Sequence, residues 1–563
     1  MSISQPLFDH AYIRRPRLWL LLICLGYLAL AANYAVQTPR WQAPDEPAHY
    51  NYIEHIATTG TLPVLRMGDY DQEYLNYLLA NRFPPGSDYR RLQYESYQPP
   101  LYYLLATPIY QLSGGNLLAL RLFNSFLGLL FIFLVYYTLT TVFPHYTLIS
   151  LGATAFTALL PMHMAVIAAV NNDVLAELLV AMSIFVLLGW MRDQFAVNSS
   201  AQSAEASAVL PSDPSPAGES QSQRQLLLLG LLLGLGLLTK IYAYALVPLC
   251  VLAIIATTWR ADYSWRAVRQ GLLRSLYAVL PALLLVLPWW IRSVRLYGAG
   301  DILGLQWHDR VVTGQPTTME WIAANGIVNY TERALNFTFQ SFWGVFGWLG
   351  VFMDGRIYTA LLVCTGVLFL GLLWSLIRVI SGPPDSQLNS YQRWVLLFFA
   401  LMVATVTASY IWYNLKFVQH QGRYFFWGLL PISTFVALGW REVMRPLQGV
   451  ITGILAAILG LSLAFTGYIS GGMNKWTVFA IGLIALLLLL QPLLFVNGEA
   501  QTPSWVPQRL RQAAATPNGA VIFRGLRCSA WAVPFMLLFV LNALIPLLYI
   551  VPQLAQHVSR HHP

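Results

Sequence analysis

Charged side chains are scarce in this chain. Only 10% of its 563 residues are Asp, Glu, Lys or Arg, whereas 57% are hydrophobic and the mean hydropathy is +0.55. This composition excludes an ordinary soluble protein and predicts an all-α polytopic membrane protein. The net charge of +9 is therefore a guide to loop orientation, and no nucleic-acid partner is expected.

Cysteine is also rare, and no cysteine pair has the spacing of a metal site. The four cysteines lie in or beside hydrophobic runs: Cys24, Cys250, Cys364 and Cys528. We interpret them as packing residues without disulfides. Four histidines likewise lack a metal-ligand spacing: His49, His55, His163 and His308.

Hydrophobic runs long enough to cross a bilayer are abundant. They must be helical, because lipid offers backbone groups no hydrogen-bond partners. Thirteen such runs are predicted: 17–36, 116–138, 147–169, 172–191, 225–239, 241–258, 275–296, 357–377, 394–413, 424–440, 449–470, 475–496 and 529–551. The first lacks a cleavage site and is expected to stay as an anchor, whereas 225–258 could be one broken helix or two.

Basic residues predict the orientation. Short loops at 259–274, 441–447 and 497–528 are rich in Arg, which places them with residues 1–16 in the cytoplasm. The long segments 37–115 and 297–356 then lie outside, and their Trp, Tyr, Gly and Pro content predicts ordered structure. The Ser/Ala/Pro-rich part of 194–224 predicts a disordered cytoplasmic loop. Residues 17–440 form the predicted core, and 441–563 add further transmembrane helices.

The first outer segment opens with two adjacent acids in the stretch Trp41–Gly60. Asp45 precedes Glu46 and Pro47, a pattern typical of a helix N-cap and first turn, and Gly60 is a plausible terminator. Apolar residues between them recur at helical spacing. The pattern predicts a short helix along the membrane surface with a carboxylate pair at its start. The alternative is a capped interfacial helix without chemistry.

Several cations are predicted at the outer membrane boundary, where short loops are usually poor in them. They are Lys240, Arg292, Arg295 and Arg423. An ionised group near hydrocarbon is costly unless it faces a cavity or a counter-charge. A lipid phosphate suits such a group of cations, and we expect three or more to converge on one cavity. Taken singly, each could instead anchor to lipid headgroups.

Two aromatic stretches have simpler explanations. In the segment Tyr97–Tyr103 two prolines stop one helix and start the next, which explains it structurally. The Ser341–Gly344 segment is typical of an interfacial aromatic belt, and stacking of Trp343 on a sugar is the alternative. A divalent cation, Mg²⁺ or Mn²⁺, held by Asp45, Glu46 and another outer acid is a further open alternative, with oxygen ligands and open water positions.

The order of these motifs resembles a known superfamily. The first outer loop carries Pro44-Asp45-Glu46 with His49-Tyr50, and the Pro99-Pro100 pair follows. Five later motifs continue the pattern: Ala119-Leu120-Arg121-Leu122, Asn171-Asn172-Asp173, Leu238-Thr239-Lys240, Pro288-Trp289-Trp290-Ile291-Arg292 and His420-Gln421-Gly422-Arg423-Tyr424-Phe425. Over roughly residues 15–440 the chain is similar to the GT-C superfamily of membrane glycosyltransferases, in its protein O-mannosyltransferase and aminoarabinose transferase branch.

The resemblance implies a GT-C-like helical bundle with interfacial helices in the first outer loop. It further implies a polyprenyl-phosphate-linked sugar as donor and a glycan, lipid or protein as acceptor. Membrane lipid is a further expected partner. Transfer would occur on the extracytoplasmic face of a bacterial-type inner (plasma) membrane. The first-loop Asp of the family is the catalytic base, which carries over to Asp45, with Glu46 as a second acid, a metal ligand or a partner of the helix dipole.

The remaining candidates fall into two groups. The donor-phosphate candidates are Lys240, Arg292, Arg423, His420 and His49. The substrate-binding candidates are Tyr50, Asp173, Gln421, Tyr424 and Trp343. The aminoarabinose branch has Arg where His49 stands, so His49 would contact a phosphate as a cation only near or below its pKa. Two other classes of function stay open: a transporter or lipid flippase, and a non-catalytic membrane subunit.

Overall fold

The computed structural model describes residues 15–206, 216–381, 388–495 and 506–555. Helices dominate these ranges, and a two-stranded antiparallel hairpin pairs β1 (Val345–Phe346) with β2 (Val351–Phe352). The helices are α1 (Pro16–Gln37), α2 (Glu46–Thr59), α3 (Gln72–Ala80), α4 (Leu101–Ser113), α5 (Leu117–Val142), α6 (Thr147–Leu159), α7 (Pro161–Ile167), α8 (Asp173–Ala206), α9 (Pro216–Leu237), α10 (Ala243–Asp262), α11 (Trp265–Tyr297), α12 (Leu305–Val311), α13 (Thr318–Asn325), α14 (Ile327–Trp343), α15 (Gly355–Ser381), α16 (Ser390–Asn414), α17 (Leu429–Val443), α18 (Pro446–Ser470), α19 (Lys475–Leu490), α20 (Gln508–Ala515), α21 (Pro517–Ile545) and α22 (Val551–Leu554).

The prediction of an all-α polytopic membrane protein is confirmed, but the count of thirteen spans is not. Within the described ranges, ten helices are long and apolar enough to cross a bilayer. The pair α6 and α7, which bends by 63° at its break, makes an eleventh if the two helices cross the bilayer together. The two other predicted runs correspond to α9, whose first turns are polar, and to α17, which has only 15 residues.

The run 225–258 forms two helices. α9 ends at Leu237 and α10 begins at Ala243, so Lys240 lies in the break between them. α9 packs closely on α11, because a Cβ on Gly230 would lie 2.4 Å from the carbonyl oxygen of Ala278. The helix that precedes the break is thus packed directly against a long membrane helix.

The first outer segment contains the predicted short helix. α2 ends at Gly60, whose φ of 68° is the left-handed conformation that glycine adopts readily. Its other end differs from the prediction, because the side chain of Asp45 makes no capping hydrogen bond and its φ is 65°. Most of α2 is buried, so the helix lies within the protein and not along its surface.

The second outer segment carries α12, α13, α14 and the β-hairpin, as expected for an ordered segment. It contacts the first segment directly, since the indole nitrogen of Trp348 donates to the carbonyl oxygen of Trp41 at 2.9 Å. The segments 37–115 and 297–356 therefore pack against each other.

The predicted disordered loop at 194–224 differs from the structure at both ends. α8 continues to Ala206 and α9 starts at Pro216, while residues 207–215 lie outside the described ranges. Alanine-rich sequence favours helix, which explains the longer α8.

Candidate active site

A cavity of about 1510 Å³ lies where the two outer segments meet the ends of the membrane helices. Its walls come from α2, α3 and α12, the start of α8, the break between α9 and α10, and the residues after α16. Seven of the twelve candidate residues line it: Asp45, His49, Asp173, Lys240, Gln421, Arg423 and Tyr424. The cavity brings together residues from widely separated parts of the sequence.

Asp45 is held from two sides. One carboxylate oxygen lies 2.9 Å from Nη2 of Arg423, and the other accepts a hydrogen bond from the Tyr94 hydroxyl at 2.9 Å. Burial alone would raise the pKa of Asp45. The charge of Arg423 and the hydrogen bonds from Arg423 and Tyr94 outweigh burial and hold that pKa below its ordinary value. Asp45 is therefore a carboxylate at neutral pH.

The backbone at Asp45 is in the left-handed region, which costs energy for any residue with a side chain. Asp and Asn tolerate this conformation better than most residues do. The conformation turns the chain sharply just before α2. The carboxylate therefore contacts Arg423 in the cavity and does not cap the helix.

Arg423 reaches Asp45 from a short 3₁₀ helix, Gly422–Gly428, that follows α16. The preceding residue must be small, because a Cβ on Gly422 would lie 2.2 Å from the backbone nitrogen of Phe342. Burial lowers the pKa of Arg423, but the Asp45 carboxylate more than offsets this and raises it overall. The guanidinium therefore stays charged.

A second ion pair lines the same cavity. Lys240 Nζ lies 2.8 Å from Asp173 Oδ1 and donates to Asn172 Oδ1 at 2.8 Å. Asn172 in turn donates to the carbonyl oxygen of Thr239, which ties the start of α8 to the α9–α10 break. Of the four cations predicted at this boundary, only Lys240 and Arg423 line the cavity, so the expected convergence of three or more is wrong. Each of these two already has a carboxylate partner.

Glu46, the neighbour of Asp45, does not line the cavity. It is 0% exposed, and its two oxygens accept from Nε and Nη2 of Arg121 at 2.8 and 2.7 Å. The guanidinium also donates to three carbonyl oxygens near the end of α1, those of Ala35, Thr38 and Pro39. Glu46 joins α1, α2 and α5 and contacts no space that a substrate could enter, so its geometry does not support a catalytic role.

Arg292 and Tyr50 are likewise engaged outside the cavity. Arg292 donates to the carbonyl oxygen of Pro63 at 2.6 Å and stacks over the Trp289 ring at 4.8 Å. The Tyr50 hydroxyl donates to the carbonyl oxygen of Gly115 at 2.7 Å. Both residues fix the first outer segment in place, and neither is positioned to bind the predicted substrate.

Trp343 and His420 are buried beside the cavity. Trp343 meets the ring of Phe156 edge-on, which is core packing and not an exposed stacking surface. His420 packs against Tyr330, and burial together with the charge of Arg333 lowers its pKa to about 4. A neutral, buried His420 is unsuited to the predicted phosphate role.

His49 lines the cavity but is not cationic at neutral pH. Its Nδ1 lies 2.9 Å from the Tyr103 hydroxyl, and burial lowers its pKa. His49 therefore does not supply the positive charge of the Arg that the aminoarabinose branch has at this position.

The residues do not fit the divalent cation site considered from the sequence. Among the described residues there is no group of three His, Cys, Asp or Glu side chains placed to hold a metal. Both Glu46 oxygens are engaged by Arg121, and both Asp45 oxygens already accept hydrogen bonds.

The sequence interpretation missed one wall of the cavity. Tyr94, Glu95, Tyr97 and Gln98 all line it. The proline pair explained only the segment Tyr97–Tyr103 structurally, and Tyr94 and Glu95 were not among the candidate residues. The signal was the run of polar and aromatic residues before the proline pair. His163 was considered only as a metal ligand. Its Nε2 lies 2.8 Å from Oε2 of Glu177, and Glu177 lines the cavity.

Another part of the cavity is apolar. Its lining includes Trp290, Ile302, Leu303, Leu305, Trp412 and Leu415. Apolar walls with a few convergent polar groups are typical of small-molecule sites. The cavity can thus accommodate an amphiphile with a charged or polar head.

The solved structures that are similar to this chain include two states of one bacterial protein and one archaeal protein. ArnT from Cupriavidus metallidurans bound to undecaprenyl phosphate has a TM-score of 0.48 and 14% identity, covering 96% of this chain and 78% of that one. The apo state of the same ArnT has a TM-score of 0.46, 14% identity and the same two coverages.

The third is the Archaeoglobus fulgidus oligosaccharyltransferase tethered with an acceptor peptide containing the NVT sequon. It has a TM-score of 0.41 and 14% identity, covering 85% of this chain and 57% of that one. No family model and no curated protein matches the sequence.

Proposed function

We propose that this chain is a membrane glycosyltransferase that moves a sugar from a polyprenyl-phosphate donor to an acceptor hydroxyl. The observation that carries the proposal is the contact of Asp45 with Arg423 in a cavity that Lys240 also lines. A base and phosphate-binding cations are the groups that this reaction needs. The apolar part of the cavity suits the start of the polyprenyl chain.

The proposed step is a single displacement. Asp45 takes the proton of the acceptor hydroxyl while the hydroxyl oxygen bonds to the anomeric carbon of the sugar. This proton transfer contributes about 10²–10⁴-fold to the rate. The bond from that carbon to the phosphate oxygen breaks, and the lipid phosphate leaves with the electron pair. Arg423 and Lys240 stabilise the negative charge that grows on the phosphate. Attack opposite the leaving group inverts the anomeric carbon.

Donor binding would change the partner of Arg423. A phosphate that enters the cavity competes with Asp45 for the guanidinium, whose planar donors suit phosphate. As Arg423 turns to the phosphate, its charge no longer lowers the pKa of Asp45 as strongly. Burial then raises that pKa, so Asp45 holds a proton more tightly. Asp45 thereby becomes a stronger base once the donor is in place.

The proposed orientation places the cavity on the extracytoplasmic face of a bacterial-type plasma membrane. The support is the concentration of Arg in the short loops at the other ends of the helices, as the positive-inside rule requires. An acceptor glycan, lipid or protein would reach the cavity from that side.

A transporter or flippase is the second candidate, because two breaks in membrane helices resemble transporter architecture. α6 and α7 bend by 63°, and the α9–α10 break presents Lys240 to the cavity. A flippase would return the lipid with its sugar still attached, whereas a transferase would separate the two.

The test uses the purified chain in proteoliposomes with radiolabelled polyprenyl-phosphate sugars and a membrane extract as acceptor. We expect label to leave the lipid, to appear in the acceptor, and to depend on the intact protein. Label that changes leaflet but stays on the lipid would favour the flippase. Label that stays on the lipid with every sugar in the panel would contradict the transferase proposal.

A further inference from the structure

Most carboxylates that line the cavity have a positively charged or hydrogen-bonding partner. Asp45 pairs with Arg423, Asp173 with Lys240, Glu177 with His163 and Asp309 with Lys416. Asp301 accepts a hydrogen bond from the backbone nitrogen of Trp307 at 2.7 Å. This pairing is what burial of a charge normally requires.

Glu95 differs from these five. Its side chain lines the cavity with only 9% of the residue exposed, and neither carboxylate oxygen has a hydrogen-bond partner in the described residues. Oε2 is fully buried, whereas Oε1 is the oxygen that a ligand in the cavity can reach. In the part of the chain that the structure describes, no Lys, Arg or His lies within ion-pair distance of it. A buried acceptor left in this state costs free energy, so a ligand that supplies a donor would gain affinity there.

The position of Glu95 is fixed by its surroundings. Its own carbonyl oxygen accepts from the backbone nitrogen of Gln98 at 3.0 Å. Two side chains of α2 hold the same loop, since Asn51 donates to the carbonyl oxygen of Leu92 at 2.7 Å and Tyr52 to that of Gln98 at 3.1 Å. The backbone that carries Glu95 is thus held in place, which reduces the cost of ordering this loop when a ligand binds.

We propose that Glu95 binds a hydroxyl group of the transferred sugar and so selects which sugar the protein accepts. The inference rests on the proposed transferase function and deepens it. Glu95 directly follows Tyr94, the residue that holds Asp45, so it lies on the wall beside the reacting groups. A carboxylate only accepts hydrogen bonds and repels phosphate, so a sugar hydroxyl is the part of the donor that suits it.

This contact would discriminate strongly between sugars. A buried group built to accept a bond from a substrate hydroxyl is left unpaired when the substrate lacks that hydroxyl. The donor whose hydroxyl meets Glu95 is therefore used, and its deoxy analogue is rejected.

The test compares two ligands on the purified protein. One is the polyprenyl-phosphate sugar that the wild-type protein transfers, and the other is bare polyprenyl phosphate as a competitive inhibitor. For Glu95→Gln and Glu95→Ala we expect kcat/KM for the donor to fall about 10- to 100-fold, with the inhibition constant of bare polyprenyl phosphate unchanged. Glu73→Gln, at an exposed acid on α3 outside the cavity, is the matched control and should change neither value.

A donor analogue that lacks one sugar hydroxyl gives the sharper readout. Removal of the contacted hydroxyl should weaken donor use by the wild-type protein and have a much smaller effect in Glu95→Gln, because the contact is already impaired. The near-isosteric Gln variant keeps this comparison valid if Glu95→Ala does not fold.

Three outcomes would overturn the inference. Equal losses for donor and bare polyprenyl phosphate would show that Glu95 acts through the phosphate site or the fold. Unchanged kcat/KM in Glu95→Gln, or the same hydroxyl dependence as wild type, would show that it does not contact the sugar. These three results leave the transferase proposal standing, whereas a wild-type protein that transfers no sugar would end both proposals.

Discussion

Asp45 and Glu46 are adjacent carboxylates with different surroundings. The Asp45 side chain is 25% exposed in a cavity and its partner Arg423 is 17% exposed, whereas Glu46 and Arg121 are 0% and 3% exposed. The first pair lines a cavity large enough for a ligand, whereas the second lies in the packed interior and does not line it. Burial, more than residue type, distinguishes the acid that we propose as the base from its structural neighbour.

The largest effect is expected at Asp45. Asp45→Asn should lower transfer about 10²–10⁴-fold, because the base is lost. The fold should survive, since Asn tolerates the left-handed backbone at this position and its side-chain oxygen can still accept a hydrogen bond from Arg423. Turnover and thermal unfolding of the purified variant provide the check, and a variant that retained wild-type turnover would remove Asp45 as the base.

Glu46→Gln should show the opposite pattern. It leaves Arg121 buried without a counter-charge, which typically destabilises a protein by about 3–5 kcal/mol. The melting temperature should fall sharply, while protein that remains folded should keep its turnover per folded molecule. A variant as stable as wild type but inactive would place Glu46 in the chemistry and break the comparison.

Arg423→Gln tests whether the first pair sets the reactivity of Asp45. Donor use should weaken about tenfold or more, because a charged hydrogen bond to phosphate is lost. The pKa of Asp45 in the free protein should rise, since burial is then less opposed. The activity of a carboxylate base is lost as pH falls through its pKa, so the acid limb of the kcat/KM profile should move to higher pH.

The control for that shift is Arg90→Gln, which breaks an exposed ion pair with Glu54 outside the cavity lining. Its profile should match that of the wild type. An acid limb that does not move in Arg423→Gln would show that Asp45 is not the group that titrates.

The smallest effect is expected at Tyr94. Tyr94→Phe removes one of the two hydrogen bonds to Asp45 and leaves the ion pair with Arg423. Transfer should fall about two- to tenfold, with the melting temperature nearly unchanged. A loss as large as that of Asp45→Asn, measured in the same assay, would mean that Tyr94 takes part in the reaction itself.

Hydropathy and helix-end signals predicted the helical architecture and the location of α2, because both depend on local sequence. The convergence of Asp45, Lys240 and Arg423 could also be anticipated, since isolated charges at one membrane boundary need partners. The burial of Glu46 in an ion pair could not be predicted from the local sequence. It depends on Arg121 from α5, and no spacing rule shows which of two adjacent acids turns inward.

Glu95 was missed for a related reason. It lies two residues before the segment Tyr97–Tyr103, which the proline pair explains locally, and only the packed loop shows that its Oε2 is buried without a hydrogen-bond partner. Similarly, Arg292 and Lys240 have equivalent sequence settings at the ends of apolar runs. In the structure Arg292 donates to a backbone carbonyl oxygen, whereas Lys240 lines the cavity.

The ion pair between Asp45 and Arg423 joins residues 378 positions apart. Because synthesis proceeds from the N-terminus, the first outer segment leaves the ribosome and enters the membrane long before its counter-charge exists. A nascent chain that ends before the 3₁₀ helix after α16 lacks the partner of Asp45. The ion pair of the proposed active site therefore forms only after most of the membrane helices have been synthesised.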